Sequence, residues 1–464
     1  MPGVCDLTAK QLARAYVRRE LSPEMAVQDV LERIERWEPR INAMYRIRRE
    51  AALDDARAAE ERWRSGRPLS PIDGVPLTIK ENICTRGDPA PIGTRANDDA
   101  PPQPGDAPPA ARAREAGCVI VGKTTMPDYG MLSSGVSSLH GITRNPWRLD
   151  RNPSGSSSGA AAAAAAGYGP LHLGTDIGGS VRLPASHCGL FALKPSLGRV
   201  PVHPPYMGRV AGPMTRCVED AALFMNVLAR PDARDFMSLA FQDQDFAAGI
   251  EEIEPKRLRI GFIQEMGVGL PVHPEVRAAA EAAARALAGA GCTVEPIPSF
   301  LTHDILDGWW RFFEARSYNE VMDLPASRRE RVLPFIMEWC TWRADALSGR
   351  DVMQAYNLVM AMREAAVAAS GPYDFLLSPT SPILPYEAEL PAPGNDPRNA
   401  LPHIAFTVAY NMSEQPAASI NWTYSAEGLP IGVQLIGRRF DDSGVLKISR
   451  LVEKLRPPQR PWPD

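Results

Sequence analysis

Short, mostly apolar runs alternate along this chain with segments of helical period, and no other feature narrows the fold as far. The runs are Gly74–Ile79 (GVPLTI), Cys118–Val121, Leu171–Gly174 and Ile431–Ile436. Each is too short for a core helix and reads as a buried strand, with Pro76 as a residue that favours edges and bulges. Between and around them lie helical patterns at Ala51–Trp63, Ala110–Ala116 (closed by Gly117), Gly159–Gly167, Val218–Leu228 and Val445–Leu455. The alternation resumes around 257–263 and 274–296. Strands separated by helices imply an α/β sheet with helices outside it.

The rest of the chain is organised around that core. Residues 1–65 read as helices. Thr8 with Gln11 fits a capping box, and Ser22-Pro23 fits a helix start with serine as N-cap and proline in the first turn. Apolar residues at Met25, Val27, Val30, Leu31, Ile34 and Trp37 follow the helical period. Residues 85–109 and Pro382–Pro402 read as loops, the second on the surface. Residues 305–365 read as helical, with aromatic clusters at Trp309, Trp310, Phe312 and Phe313 and at Trp339 and Trp342. These aromatics suit a helix core or the wall of an apolar pocket. Residues 133–158 are rich in Ser, Gly, Asn and Pro; so long an irregular stretch is uncommon inside a domain and usually functional. With no linker or repeat, 1–464 reads as one domain, with a catalytic core segment at 65–230 and a helical, aromatic-rich segment at 300–370.

Composition excludes several classes. At a net charge of −4 the chain offers no electrostatic reason to bind nucleic acid or anionic membrane. No apolar stretch approaches the ~18 residues a membrane span needs. The N-terminus is polar and lacks a signal-peptide core. Seven scattered cysteines form no CxxC pair, so a zinc site or disulfide framework is not expected. Reduced, mostly buried thiols in a cytoplasmic protein are the expectation.

Three segments carry residue types suited to catalysis: GVPLTIKEN (74–82), NPSGSSSGA (152–160) and LGTDIGGSVRLPA (173–185). In the third, Thr175 to Ser180 reads as a tight turn. Gly178 and Gly179 let a ligand approach the backbone, and the N–H groups of such a turn make a concavity for an oxyanion beside Ser180. A structural turn that lets a helix pack closely fits the same fragment. A serine nucleophile needs a base. None of the seven histidines sits in a motif that pairs it with an acid, and His187, the one nearest Ser180 in sequence, has the surroundings of a core residue. Lys80 ends the apolar run 75–79, where burial favours its neutral form; in isolation it also reads as a surface lysine at a strand end. Gly155–Gly159 matches the G-x-S-x-G elbow with Ser157 at its centre, but the polar, proline-broken residues before it lack the strand that elbow requires.

Together the segments resemble the amidase signature family of serine hydrolases. That family's pattern holds a Gly-Gly-Ser-Ser-Gly core and, further along, a G-[ST]-D-x-G-G-S-[IV]-R block. Here they are Ser154-Gly155-Ser156-Ser157-Ser158-Gly159 and Gly174-Thr175-Asp176-Ile177-Gly178-Gly179-Ser180-Val181-Arg182. The resemblance runs from about Leu7 to the last strand and includes Gly122-Lys123-Thr124, Arg144-Asn145-Pro146-Trp147, Leu193-Lys194-Pro195-Ser196, Gly198-Arg199-Val200 and Gly428-Leu429-Pro430-Ile431-Gly432. Ser154 and Ser158 stand where the family usually has glycine. So does Glu414, which either brings a carboxylate near the substrate or sits on the surface.

The resemblance implies a large mixed β-sheet flanked by helices on both faces. It implies a Ser–cis-Ser–Lys triad in which Ser180 attacks, Ser156 relays the proton and Lys80 accepts it, with Ser156 held by a non-proline cis peptide bond. The backbone N–H groups of Ile177, Gly178, Gly179 and Ser180 would form the oxyanion hole, and Ser157, Thr175, Asp176 and Arg182 would support the reacting groups. The implied activity is cleavage of amide-type C–N bonds through an acyl-enzyme. The substrates are small amides, extending to aryl amides or carbamates (urethanes), with esterase side activity. No metal or organic cofactor is required. A monomer or homodimer fits. The family also contains an amidotransferase component that works with a partner chain on charged tRNA, and non-catalytic relatives are conceivable, although all the triad residues are present here.

Overall fold

The structure, a computed structural model, describes residues 3–464. The first half of the chain supplies β1 (Met44–Ile47), β2 (Pro76–Lys80), β3 (Val119–Thr124), the two-residue strands β4 (Val136–Ser137) and β5 (Gly141–Ile142), and β6 (Leu171–Asp176). Then follow β7 (Phe191–Lys194), β8 (Val210–Thr215), β9 (Arg259–Phe262), β10 (Thr293–Pro296), β11 (Phe375–Pro379), β12 (Ala417–Tyr424) and β13 (Pro430–Ile436). Eleven strands join one sheet in the order β1-β3-β2-β6-β8-β7-β12-β13-β11-β9-β10, while β4 pairs only with β5. Pairing is mixed. β2 runs parallel to both β3 and β6, whereas β8 is antiparallel to β6 and β7.

Every residue of β2, β3, β6, β7 and β8 is buried. Successive side chains on a strand point to opposite faces, so both faces of the sheet must be covered. β3 shows how. Val119 and Val121 join a cluster with Val27, Leu31 and Trp37 of helix Pro23–Ile41, while Ile120 joins Ala110 and Phe224 on the other side. Helix Ser158–Ala166 is buried at every position, because alanine and glycine let it lie between the sheet and helix Arg182–Cys188. Its fellow cluster members include Val181, Ala185 and Leu190.

The N-terminal caps form as the sequence predicts. Thr8 and Gln11 make a reciprocal capping box, and Ser22 caps a helix that opens on Pro23. Pro76 is the first residue of its strand, where a missing N–H is tolerated. Five of the seven cysteines are buried, and all are free thiols.

Three expectations need correction. Residues 1–65 are not all helical, because Met44–Ile47 forms edge strand β1 against β3. Four residues of which only Met44 is buried leave too little pattern to see. Thr175 and Asp176 belong to β6, paired with Ala211 and Val210, so the turn begins at Ile177. Pro382–Pro402 is not simply a surface loop. Tyr386 is buried, donates its hydroxyl to the Ser133 carbonyl at 2.6 Å, and accepts the Asn152 N–H at 2.7 Å. The two irregular segments of the chain thus brace each other.

Candidate active site

Because β2 and β6 are parallel neighbours, with Ile79 opposite Leu173, both end on the same edge of the sheet. Lys80 closes β2, and Thr175 and Asp176 close β6. Carboxyl ends of parallel strands are where open α/β sheets place their ligands. The chain leaves β6 through Ile177–Ser180 and enters helix Arg182–Cys188. Ser156 and Ser157 arrive just before helix Ser158–Ala166, and Ser157 N–H donates to the Ser180 carbonyl at 3.2 Å. The Gly155–Ser156 peptide bond is cis.

Lys80 is wholly buried. Its Nζ lies 2.8 Å from Ser156 Oγ, 3.0 Å from Thr175 Oγ1 and 3.1 Å from Ser157 Oγ. Burial pushes its pKa down from 10.5 to about 7, a shift opposed by the Asp176 charge and reinforced by Arg209. A neutral amine has two protons to give and one lone pair to fill, so one of the three hydroxyls must turn its own proton toward the nitrogen. Ser157 Oγ already donates to the Thr175 carbonyl at 3.1 Å, and Thr175 Oγ1 faces the Asn82 side-chain amide, accepting from Nδ2 at 3.1 Å with Oδ1 at 3.4 Å. Ser156 Oγ has Lys80 as its sole hydrogen-bond partner among the described residues. Ser156 is the nearest of the three hydroxyls to the amine and has no competing acceptor, which suits it to hand its proton to Lys80. Ser156 and Ser180 line the same cleft.

The turn after β6 is fixed by Asp176. Its carboxylate accepts the Gly179 N–H at 2.8 Å, the Val181 N–H at 3.1 Å and Asn411 Nδ2 at 2.8 Å. It also pairs with Arg182, both side chains being fully buried. Burial pushes the Asp176 pKa up, but the Arg182 charge and the hydrogen bonds from Arg182 and Asn411 outweigh it and hold the carboxyl ionised, well below the usual range. Arg182 in turn reaches the Thr407 carbonyl at 2.9 Å and Gln434 Oε1 at 2.7 Å, tying the turn to β13. At Gly179, φ is +132°, and a Cβ there would lie 2.5 Å from Thr407 Oγ1, so only glycine fits. One member of the expected oxyanion hole is thereby committed, since the Gly179 N–H is spent on Asp176. Among the described residues no carboxylate takes the Ile177, Gly178 or Ser180 N–H group.

The cleft encloses about 690 Å³, open solvent included. Ile177, Gly178 and Ser180 border it on one side, and Trp309, Phe313 and Trp339 supply aromatic lining. Trp309 and Phe313 stack with centroids 4.2 Å apart. Half of the aromatic cluster thus faces the cleft, while Trp310, Phe312 and Trp342 do not line it. Arg209 and Arg316 also border it, and neither is marked by any motif. Asn82 was visible only as the neighbour of Lys80.

Other sequence candidates fall elsewhere. His187 is a buried residue 3.3 Å from Ser381 Oγ, and burial holds it neutral with a pKa near 4. Ser157 follows no strand, and its hydroxyl is held in the network just described, so it is no elbow nucleophile. Glu414 does not line the cleft; it pairs with Arg363 at 2.6 Å and with Arg439. Ser154 (φ 64°) and Glu414 (φ 66°) both occupy the left-handed region, which accounts for the preference for glycine at those two places. Among the described residues no helix is long and apolar enough to cross a membrane.

A model of the family described as Amidase matches residues 25–446. The chain is 34% identical over 493 aligned residues to a glutamyl-tRNA(Gln) amidotransferase subunit of Nitratidesulfovibrio vulgaris (strain DP4), covering 99% of this chain and 98% of that one. It is 32% identical over 469 residues to an acylamidase of Rhodococcus erythropolis, covering 99% and 96% respectively. A solved bacterial aryl acylamidase, an amidase signature enzyme, superposes with a TM-score of 0.89 at 28% identity, covering 97% of this chain and 96% of that one.

Proposed function

The chain belongs to the Amidase family, and from that premise we propose that it hydrolyses amide-type C–N bonds through an acyl-enzyme on Ser180. The observation that carries this reading is the 2.8 Å contact between a fully buried lysine amine and Ser156 Oγ beside the cleft that Ser180 lines.

Neutral Lys80 takes the proton of Ser156 while Ser156 takes that of Ser180, whose oxygen attacks the carbonyl carbon. The carbonyl oxygen gains negative charge and meets the N–H groups of Ile177, Gly178 and Ser180. Each such donor contributes about 3–4 kcal/mol where it has been removed in other enzymes. The tetrahedral adduct collapses, the C–N bond breaks, and the proton returns from Lys80 through Ser156 to the departing nitrogen. Water then attacks the acyl-enzyme by the same route, releasing the acid and restoring Ser180. Asp176, Arg182, Thr175 and Ser157 hold the turn and the amine in register. No step calls for a metal or organic cofactor.

The Trp309–Phe313 stack favours a flat, apolar group on the substrate, which fits aryl amides and aryl carbamates. The likeness to an aryl acylamidase supports the same class. A second reading, an amidotransferase component working with a partner chain on charged tRNA, draws on the 34% identity to such a protein. Assaying the purified chain alone on aryl amides, primary amides, esters and carbamates separates the two. Turnover without partner or tRNA supports the hydrolase; turnover that appears only with both supports the amidotransferase.

A further inference from the structure

We propose that the cleft selects substrates carrying a carboxylate, bound by Arg209 with Arg316 beside it; this rests on the hydrolase reading of the same site.

Two cations come to the cleft wall from unrelated elements. Arg209 immediately precedes β8, whose Val210 pairs with Asp176, so Arg209 lies alongside the turn that carries Ser180. Arg316 belongs to helix His303–Met322. Their guanidinium carbons sit 5.5 and 4.4 Å from the centroid of one ring, Tyr206. Their counter-charges do not match. Arg316 has Glu320 at 3.4 Å on its own helix. Arg209 has only the Pro204 carbonyl at 3.3 Å, and no carboxylate pairs with it among the described residues.

Apart from Glu320, whose charge reaches both arginines, no carboxylate at the cleft is free to offset the two among the described residues. Asp176 is already held by Arg182, Asn411 and two backbone N–H groups. Burial and the Arg316 charge pull the Arg209 pKa down, and Glu320, which makes no hydrogen bond to Arg209, opposes them without reversing the direction. Half-buried guanidinium groups ordinarily have a carboxylate partner, because losing water without one is costly. A planar guanidinium matches a carboxylate with two parallel hydrogen bonds, so the missing anion is best supplied by the substrate. The aromatic pair Trp309 and Phe313 lines the same cleft, so the preferred molecule combines an apolar body with one anionic end.

The test uses two matched pairs, one for each side of the scissile bond. The first pair is the para-nitroanilide of glutaric acid, with one carboxylate left free, against that of hexanoic acid. The second is an acetanilide with a ring carboxylate against one with a ring acetyl group. The proposal expects kcat/KM for the anionic member of at least one pair to exceed its neutral match by about tenfold or more, roughly the worth of one charge-assisted contact. In R209Q that ratio falls by about tenfold, chiefly through KM, and R209K recovers part of it. A ratio at or below unity in both pairs overturns the proposal, as does a preference that survives in R209Q and R316Q alike. Calorimetry with S180A provides a readout independent of turnover. Tighter, Arg209-dependent binding of the anionic amide without turnover by the wild type would sink the hydrolase reading and leave this one standing. Hydrolysis of all four amides without preference would do the reverse.

Discussion

Lys80 Nζ and Ser156 Oγ are 2.8 Å apart, and the amine is buried beside a hydroxyl that has no other partner among the described residues. With its pKa lowered to about 7, Lys80 is charged below that pH and neutral above it. Only the neutral amine accepts a proton. For an amide without ionisable groups, kcat/KM should therefore rise about tenfold per pH unit below 7 and level off above it. A profile from pH 5 to 9 checks this (roughly two units either side of the midpoint). A rate that falls as pH rises through 7 contradicts the assignment of the base.

Replacing the amine with an apolar chain of similar length removes the base without opening a cavity. Lys80→Met should lower kcat/KM by about 10²–10⁴ and leave the thermal midpoint unchanged or raised, since a desolvated amine is lost. Ser156→Ala should fall in the same range of activity. Steady-state kinetics beside thermal denaturation separate this from misfolding, in which both would drop.

Arg182 and Asp176 form a fully buried pair, and the arginine also bonds Thr407, Asn411 and Gln434. Arg182→Met strands the Asp176 carboxylate. Breaking one side of such a pair typically costs about 3–5 kcal/mol. A clear drop in urea and thermal midpoints is expected, with activity lost because the turn carrying Ser180 is no longer tied to β13. A variant of wild-type stability would show that the pair does not anchor the turn.

The Trp309–Phe313 stack borders the cleft. Trp309→Ala should raise KM for aryl amides about three- to tenfold and affect small alkyl amides less, in keeping with the worth of one aromatic contact. Equal losses on both classes would place Trp309 in the core and not in substrate binding.

Much of this was legible in the residues. The α/β class followed from short apolar runs set between helical periods, and the Thr8 and Ser22 caps from side-chain chemistry alone. That Lys80 meets Ser156, with Ser180 on the same cleft, is foreshadowed only by the resemblance, because no spacing reveals that β2 and β6 are neighbours. What stayed hidden depends on long-range packing. β1 is too short to show a pattern. The sequence leaves Glu414 open between a place near the substrate and the surface, and only the fold shows its pairing with Arg363 and Arg439. The Gly179 N–H looked free for an oxyanion, yet a carboxylate three residues earlier in the chain takes it. Arg209 and Arg316 are far apart in sequence, and only the fold brings both to Tyr206.

The central claim is that Ser180 is the nucleophile and that Lys80 activates it through Ser156. Treating the protein with a fluorophosphonate and mapping the adduct by peptide mass spectrometry tests it most directly. The account predicts one adduct, on Ser180, absent in S180A and formed far more slowly in K80M. An adduct on another residue, or labelling of Ser180 at an undiminished rate in K80M, would contradict it.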